Sequence, residues 1–131
     1  MKHILLTTIA AVLLVGCCTP APEPPTAKAP DISIWDAAEE GNVEAVKQHL
    51  AAGTDVNAGD EDASTPLHYA VAFSHKETAE LLIAKGADVN TKNELGETPL
   101  DWVLWCMQPK IADLLRKHGG KTGEELKAAG N

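Results

Sequence analysis

The chain has 131 residues, with 11 Lys and Arg against 19 Asp and Glu for a formal net charge of −8, and only 4% of its residues are aromatic. That length holds one domain beyond a leader and no more. An acidic chain without a basic cluster is a poor counterion for phosphate backbones and is repelled by anionic lipid surfaces. This argues against nucleic acid as a partner and leaves any membrane contact to a covalent lipid.

Met1-Lys2-His3 precedes twelve mostly apolar residues, 4–15. A helix that crosses a bilayer needs ~20 such residues, so the run reads as a secretory signal. It ends in Leu14-Val15-Gly16-Cys17, which resembles the lipobox of bacterial lipoproteins. The resemblance implies a signal peptide over residues 1–16 and a Cys17 that is acylated and becomes the mature N-terminus. Several acyl chains, at about 0.8 kcal/mol per buried methylene, give lasting attachment. Cys18 stands where an aspartate would resemble an inner-membrane retention signal, so the resemblance points to an outer-membrane lipoprotein facing the periplasm. The other reading is an ordinary cleaved signal with a chance cysteine. No better small-x-small cleavage site precedes the prolines that follow. Cys18 and Cys106 remain; an oxidising compartment permits a bond between them without requiring one, and Cys106 reads as a small apolar packing residue.

Residues 17–30 form a tether, with prolines at 20, 22, 24, 25 and 30. Its twelve residues 19–30 favour the extended polyproline conformation at about 3.1 Å per residue, a reach of roughly 35 Å. It is a spacer between lipid and domain. The alternative, a proline-rich ligand for another module, lacks the aromatic or basic flank such ligands carry.

From Asp31 onward Ala, Glu, Leu and Val recur at three- and four-residue spacings, the pattern of amphipathic helices. Two segments also return 33 residues later: Thr65-Pro66-Leu67-His68 as Thr98-Pro99-Leu100-Asp101, and Gly53-Thr54-Asp55-Val56-Asn57 as Gly86-Ala87-Asp88-Val89-Asn90. A strict period of that length marks a helical repeat array, whose units bury their apolar faces only against neighbours. Thr-Pro-Leu-His-x-Ala, then a helix pair and Gly-Ala-Asp-Val-Asn, resembles the ankyrin repeat. The resemblance implies an all-α ankyrin-repeat solenoid of about three units over residues 31–120, with short hairpin-like loops and a C-terminal cap over residues 121–131.

The first unit, from Asp31, has Ile32-Ser33-Ile34-Trp35 in place of the Thr-Pro-Leu-His motif and keeps Ala37, Gly41, Asn42, Val46 and Leu50 in register. It reads as an N-terminal cap with Trp35 in its core. In the second unit, from Asp60, Thr65 caps a helix and Pro66 takes the first helical position, where the amide hydrogen it lacks is not needed. That helix is expected to run to about Phe73, and a second from Lys76 to Lys85 with Ala79, Leu82 and Ile83 inward. Gly86 ends it, and a finger-like loop to Glu97 projects towards the third unit. That unit, from Asn93, has Asp101 for the motif histidine and Met107-Gln108-Pro109 at the turn, with a second helix expected over Lys110 to His118. Thr122 and Glu125 have capping-box spacing for a last short helix.

No chemistry emerges. The histidines lack the four-residue spacing that sets two ligands on one helix face, and no Cys-x-x-Cys supplies thiolates, so no metal or cofactor is expected. The resemblance gives His68 a structural role, bonding neighbouring backbone. No serine or cysteine sits in a nucleophile motif, and Glu39-Glu40, Asp60-Glu61-Asp62 and Glu124-Glu125 fall where carboxylates are normally solvated. An enzyme is not expected.

Ankyrin arrays contact partners through finger tips and the exposed sides of first helices. Carried over residue by residue, this implies Glu61, Asp62, Ser64, Ala72 and Phe73 in the second unit, and Glu94, Leu95, Glu97, Trp105 and Cys106 in the third. Exposed aromatics ringed by acids would make a binding centre with a polar rim, suited to a basic protein partner. Trp105 has an alternative place packed under the C-terminal turn, and Tyr69 and Trp102 suit packing between helices. The expected function is a lipid-anchored protein-binding module of the bacterial envelope, in its sharper form an inhibitor of, or protector against, a periplasmic enzyme. The alternative is a structural strut of an envelope complex.

Overall fold

The computed structural model describes residues 31–130. The expected signal peptide, the lipid on Cys17 and the tether of residues 17–30 lie outside the described residues. Among those described, the chain forms seven helices and no strand: α1 Ile34–Glu40, α2 Val43–Ala51, α3 Pro66–Ala72, α4 Lys76–Ala84, α5 Pro99–Trp105, α6 Pro109–Lys117 and α7 Gly123–Ala128. None of them is long and apolar enough to cross a membrane.

Local chemistry sets the helix ends. The Ser33 hydroxyl accepts the Asp36 N–H at 3.0 Å and the Asn42 side chain accepts that of Ala45 at 3.0 Å, so α1 and α2 start on side-chain caps. Pro66 and Pro99 sit in the first turns of α3 and α5 behind capping threonines. Pro109 does the same for α6, which therefore begins one residue before the expected Lys110, because proline fits the first helical position.

Each first helix turns into its partner through a left-handed residue at the same point of the period: Gly41 (φ 70), Ser74 (φ 66) and Met107 (φ 53). Only at Gly41 is the residue one that takes this conformation without steric cost, and there a Cβ would also run into the His75 ring. Met107 is 88% exposed, so its side chain packs against little. Met107→Gly is therefore expected to stabilise the fold by about 1 kcal/mol, by removing left-handed strain at small packing cost. A urea midpoint equal to or below that of the parent would contradict this.

α1 packs on α3 and α3 on α5 to make one layer, while α2 packs on α4 in the layer behind. The core follows the 33-residue register: Ile34, Leu67 and Leu100; Ala37, Ala70 and Val103; Val46, Ala79 and Ala112 are all buried. Leu82 and Leu115 share a register with His49, which is 7% exposed and donates from Nε2 to the Ile32 carbonyl at 2.7 Å. The first unit thus places a hydrogen-bonded histidine where the others bury leucine, a correspondence that its residue type hides in the sequence. Trp35 differs from its expected core place. It is half-buried and donates its indole N–H to the Ala58 carbonyl of the following finger at 3.1 Å.

Candidate interaction surface

The fingers are shaped by side-chain clamps in place of strand ladders. Asp60 Oδ1 accepts the N–H groups of Asp62 and Ser64 at 2.9 Å each. One period on, Asn93 Oδ1 accepts those of Leu95 and Glu97 at 3.0 Å each. Short Asp and Asn side chains stabilise such turns by bonding backbone two residues on. The Glu94 N–H then donates to the Asp62 carbonyl at 2.9 Å, tying one finger tip to the next. At the finger bases, Asn57 accepts the Asp88 N–H at 2.7 Å and Asn90 that of Lys121 at 2.7 Å.

His68 joins the second unit to the third. Its Nδ1 lies 3.1 Å from the Thr65 N–H, which can only donate, so the ring proton sits on Nε2 and is given to the Glu97 carbonyl at 3.2 Å. Its ring meets Trp102 edge-on at 5.2 Å, and Tyr69 meets the same indole at 5.9 Å, so both aromatics serve packing between α3 and α5. Asp101, in the histidine's register, closes the same box by accepting the Thr98 N–H at 2.8 Å, and it accepts the Gly123 N–H of α7 at 2.8 Å. The exchange of residue type matches the exchange of target. A donor ring meets a carbonyl, and an acceptor carboxylate meets an amide.

Burial pushes His68 below the usual histidine value of 6.5, against the opposing pull of the Glu97 carbonyl and of the Asp60, Glu97 and Asp101 carboxylates. With the folded value depressed, the unfolded chain binds more protons once the pH drops below about 6.5, so the contribution of neutral His68 is complete above that pH and is lost progressively beneath it. Tm is expected to fall between pH 7.5 and 5.5, and the His68 ring to titrate below 6.5 by NMR. A His68 ring titrating above 6.5 would contradict a stitch made by the neutral form. Tyr69 donates to the Asp60 carboxylate, and this bond, with burial and the nearby acids, raises the phenol to about 12. Burial raises Asp60, but the bonds from Tyr69, Ser64 and Asp62 outweigh it and hold the carboxyl below its usual value.

The expected partner residues divide. Glu61, Asp62 and Glu94 are exposed at the finger tips. Leu95 is 80% exposed, Phe73 51% and Trp105 68%, so Trp105 is not packed under the last turn. Ser64 is buried, with its backbone held by Asp60, and offers nothing to a partner. Glu97 is also committed within the fold, because Oε2 takes the Trp102 indole N–H at 2.8 Å and an Asn93 amide proton at 3.0 Å. Ala72 is half-buried, and its carbonyl accepts from Gln108 at 3.0 Å. Cys106 is an exposed thiol, not a packing residue. Sequence reasoning missed Leu104, which joins Leu95 and Trp105 in lining a groove of about 440 Å³ beside α7. The signal available for it was the short link from Gly119 to Thr122, which leaves out a finger.

Charge is polarised across the layers. The first helices carry acids only, Asp36, Glu39, Glu40 and Asp101, and the fingers are acidic apart from Lys92. The second helices mix acids with Lys47, Lys76, Lys110, Arg116 and Lys117. No group of three His, Cys, Asp or Glu able to hold a metal occurs among the described residues.

A family model described as ankyrin repeats, in three copies, matches residues 34–125. An ankyrin repeat-containing protein of Schizosaccharomyces pombe is 39% identical over 51 residues, 39% of this chain and 25% of its own length. The acyl-CoA-binding domain-containing protein 4 of Oryza sativa subsp. japonica is 43% identical over 49 residues, 37% of this chain and 15% of its own. The matched segments thus span a quarter or less of those relatives.

Proposed function

The chain belongs to the ankyrin-repeat family, and we propose that it is a protein-binding module of the bacterial envelope, tethered by a lipid on Cys17 and contacting its partner through fingers and first helices. Ankyrin repeats are in general non-catalytic interaction modules. One observation carries the reading. The large exposed apolar side chains, Phe73, Leu95, Leu104, Trp105 and Met107, lie at the ends of α3 and α5 and on the finger held by Asn93 at the start of the third unit, the third finger, and among the described residues none lies on α2, α4 or α6.

Aromatics beside acids suit a partner with a basic surface that offers apolar contacts. In its sharper form the module inhibits, or protects against, a periplasmic enzyme, with the tether of residues 17–30 holding it near the membrane. The proline content of that tether favours a second reading, a fixed-length strut of an envelope complex.

Mild crosslinking of the full chain in envelopes separates the two. A binding module yields a crosslinked partner that is lost in Phe73→Ala and Trp105→Ala. A strut yields envelope proteins in constant stoichiometry whichever residue stands there. The lipid is tested apart from this. Acylation needs the Cys17 sulfur, so Cys17→Ser is expected to abolish labelling by a fatty-acid analogue and leave unprocessed precursor. Unchanged labelling would remove the lipoprotein reading, and labelling lost only with Cys18→Ser would move the anchor by one residue.

A further inference from the structure

We propose that the groove between the third finger and α7 takes a short cationic segment of the partner protein, lying on the side of the third finger where no further finger follows; this rests on the protein-binding reading above. Two successive unit boundaries are built alike. His68 donates to the carbonyl of Glu97, the residue before the Thr98 cap of α5. At the following boundary, the Thr98 hydroxyl donates to the carbonyl of Lys121 at 2.7 Å, the residue before the Thr122 cap of α7, and Asp101 accepts the Gly123 N–H. The start of α7 is therefore tied to α5 as the start of α5 is tied to α3, although α7 does not pack along α5 as α5 packs along α3. Its approach is cut short. A whole finger separates Gly86 from Thr98, whereas Gly119 reaches Thr122 in three residues.

The far side of α5 is open. Val71 on α3, which α5 packs against, is 0% exposed, while Leu104, its counterpart one period on, is 46% exposed on a helix along which α7 does not pack. The Asp62 carbonyl receives the Glu94 N–H of the third finger at 2.9 Å, but the counterpart of Asp62 is Leu95, and no following finger arrives to meet it. Leu95, Leu104 and Trp105 are left lining an open groove.

The space and its edge describe the occupant. Finger meets finger through the Glu94 N–H and the Asp62 carbonyl, so a segment seated beside the third finger can give a main-chain N–H to the Leu95 carbonyl in the same way. Leu104 and Trp105 call for an aliphatic or aromatic side chain. Glu97, Asp101 and Glu124 in the lining outweigh Lys127, so flanking lysines or arginines are favoured. The same charges disfavour a second copy, because the finger tips it would insert carry Glu61, Asp62 and Glu94.

The test uses short fluorescent peptides with the full chain in detergent: one alternating Lys and Leu, one alternating Lys and Ser, and one alternating Glu and Leu. Anisotropy is expected to show the Lys-Leu peptide binding at least tenfold more tightly than the other two. Leu104→Ser and Leu95→Ser should each weaken it at least tenfold with Tm unchanged, since both side chains are exposed in the free protein. Equal affinity for the Lys-Ser peptide would reduce the effect to charge alone and overturn the proposal, as would parental affinity in Leu104→Ser. Light scattering that shows a dimer dispersed by Leu104→Ser would assign the groove to a second copy and overturn it too. A chain lacking residues 19–30 that binds the probe tenfold more tightly than the full chain would give the groove to that segment and likewise overturn the proposal. If Leu104→Ser spares probe binding while Phe73→Ala abolishes the envelope crosslink, the groove proposal fails and the broader reading stands.

Discussion

Leu82→Ala is expected to destabilise the protein by about 2 to 5 kcal/mol, through lost burial and the cavity left behind. Leu82 is fully buried in α4, which packs against α3 of its own unit and α2 of the unit before. Native stabilities are commonly only ~5 to 15 kcal/mol, so the loss is a large part of the whole. In a repeat array stability is close to a sum of unit and nearest-neighbour interface terms. A defect in the middle unit weakens its own packing and its contacts with neighbouring units, whereas one at Leu115, in the same register of the third unit, disturbs the end of the stack. Urea unfolding followed by circular dichroism measures the effect. A Leu82→Ala variant with the parental midpoint, or a spectrum dominated by β structure, would refute this packing.

Much of this architecture was legible because a period needs no energetic judgement. Thr65-Pro66 and Thr98-Pro99 announce two helix starts at one offset, and the buried leucines follow from it. Residues whose role depends on a neighbouring unit were harder to place. Ser64 and Glu97 fall at the finger positions the family uses for contact, but Asp60 holds Ser64 by its backbone, and Trp102 and Asn93 take up the Glu97 carboxylate. These bonds depend on which groups the clamp draws together, and residue correspondence does not contain that. His49 was unreadable for the opposite reason. Its type suggested chemistry, while its register with Leu82 and Leu115 made it a core residue with its proton given to the Ile32 carbonyl. Exposure was the least legible quantity, since Val71 and Leu104 share a register and differ in burial because α5 packs along α3 while α7 does not pack along α5.

Once a partner is in hand, Phe73→Ala and Trp105→Ala are each expected to weaken binding at least tenfold while Tm stays nearly unchanged. Both residues stand at the C-terminal ends of adjacent first helices, Phe73 as the cap of α3 and Trp105 as the last residue of α5, and both are more than half exposed. Their removal therefore costs the free protein little buried area. Large aromatics that become fully desolvated at the centre of an interface commonly cost ≥2 kcal/mol on truncation, more than the tenfold threshold requires. The finger-tip acids act differently, since exposed charges at a rim steer encounter more than they hold the complex. Charge reversal at Asp62 should mostly slow association and flatten its dependence on salt, with a smaller change in dissociation. The contrast is read by surface plasmon resonance at two ionic strengths, with melting curves of each variant alongside. Trp105→Ala unfolding the domain would put that side chain in the core, against its 68% exposure. Parental affinity in both aromatic variants would move the binding surface away from the ends of α3 and α5.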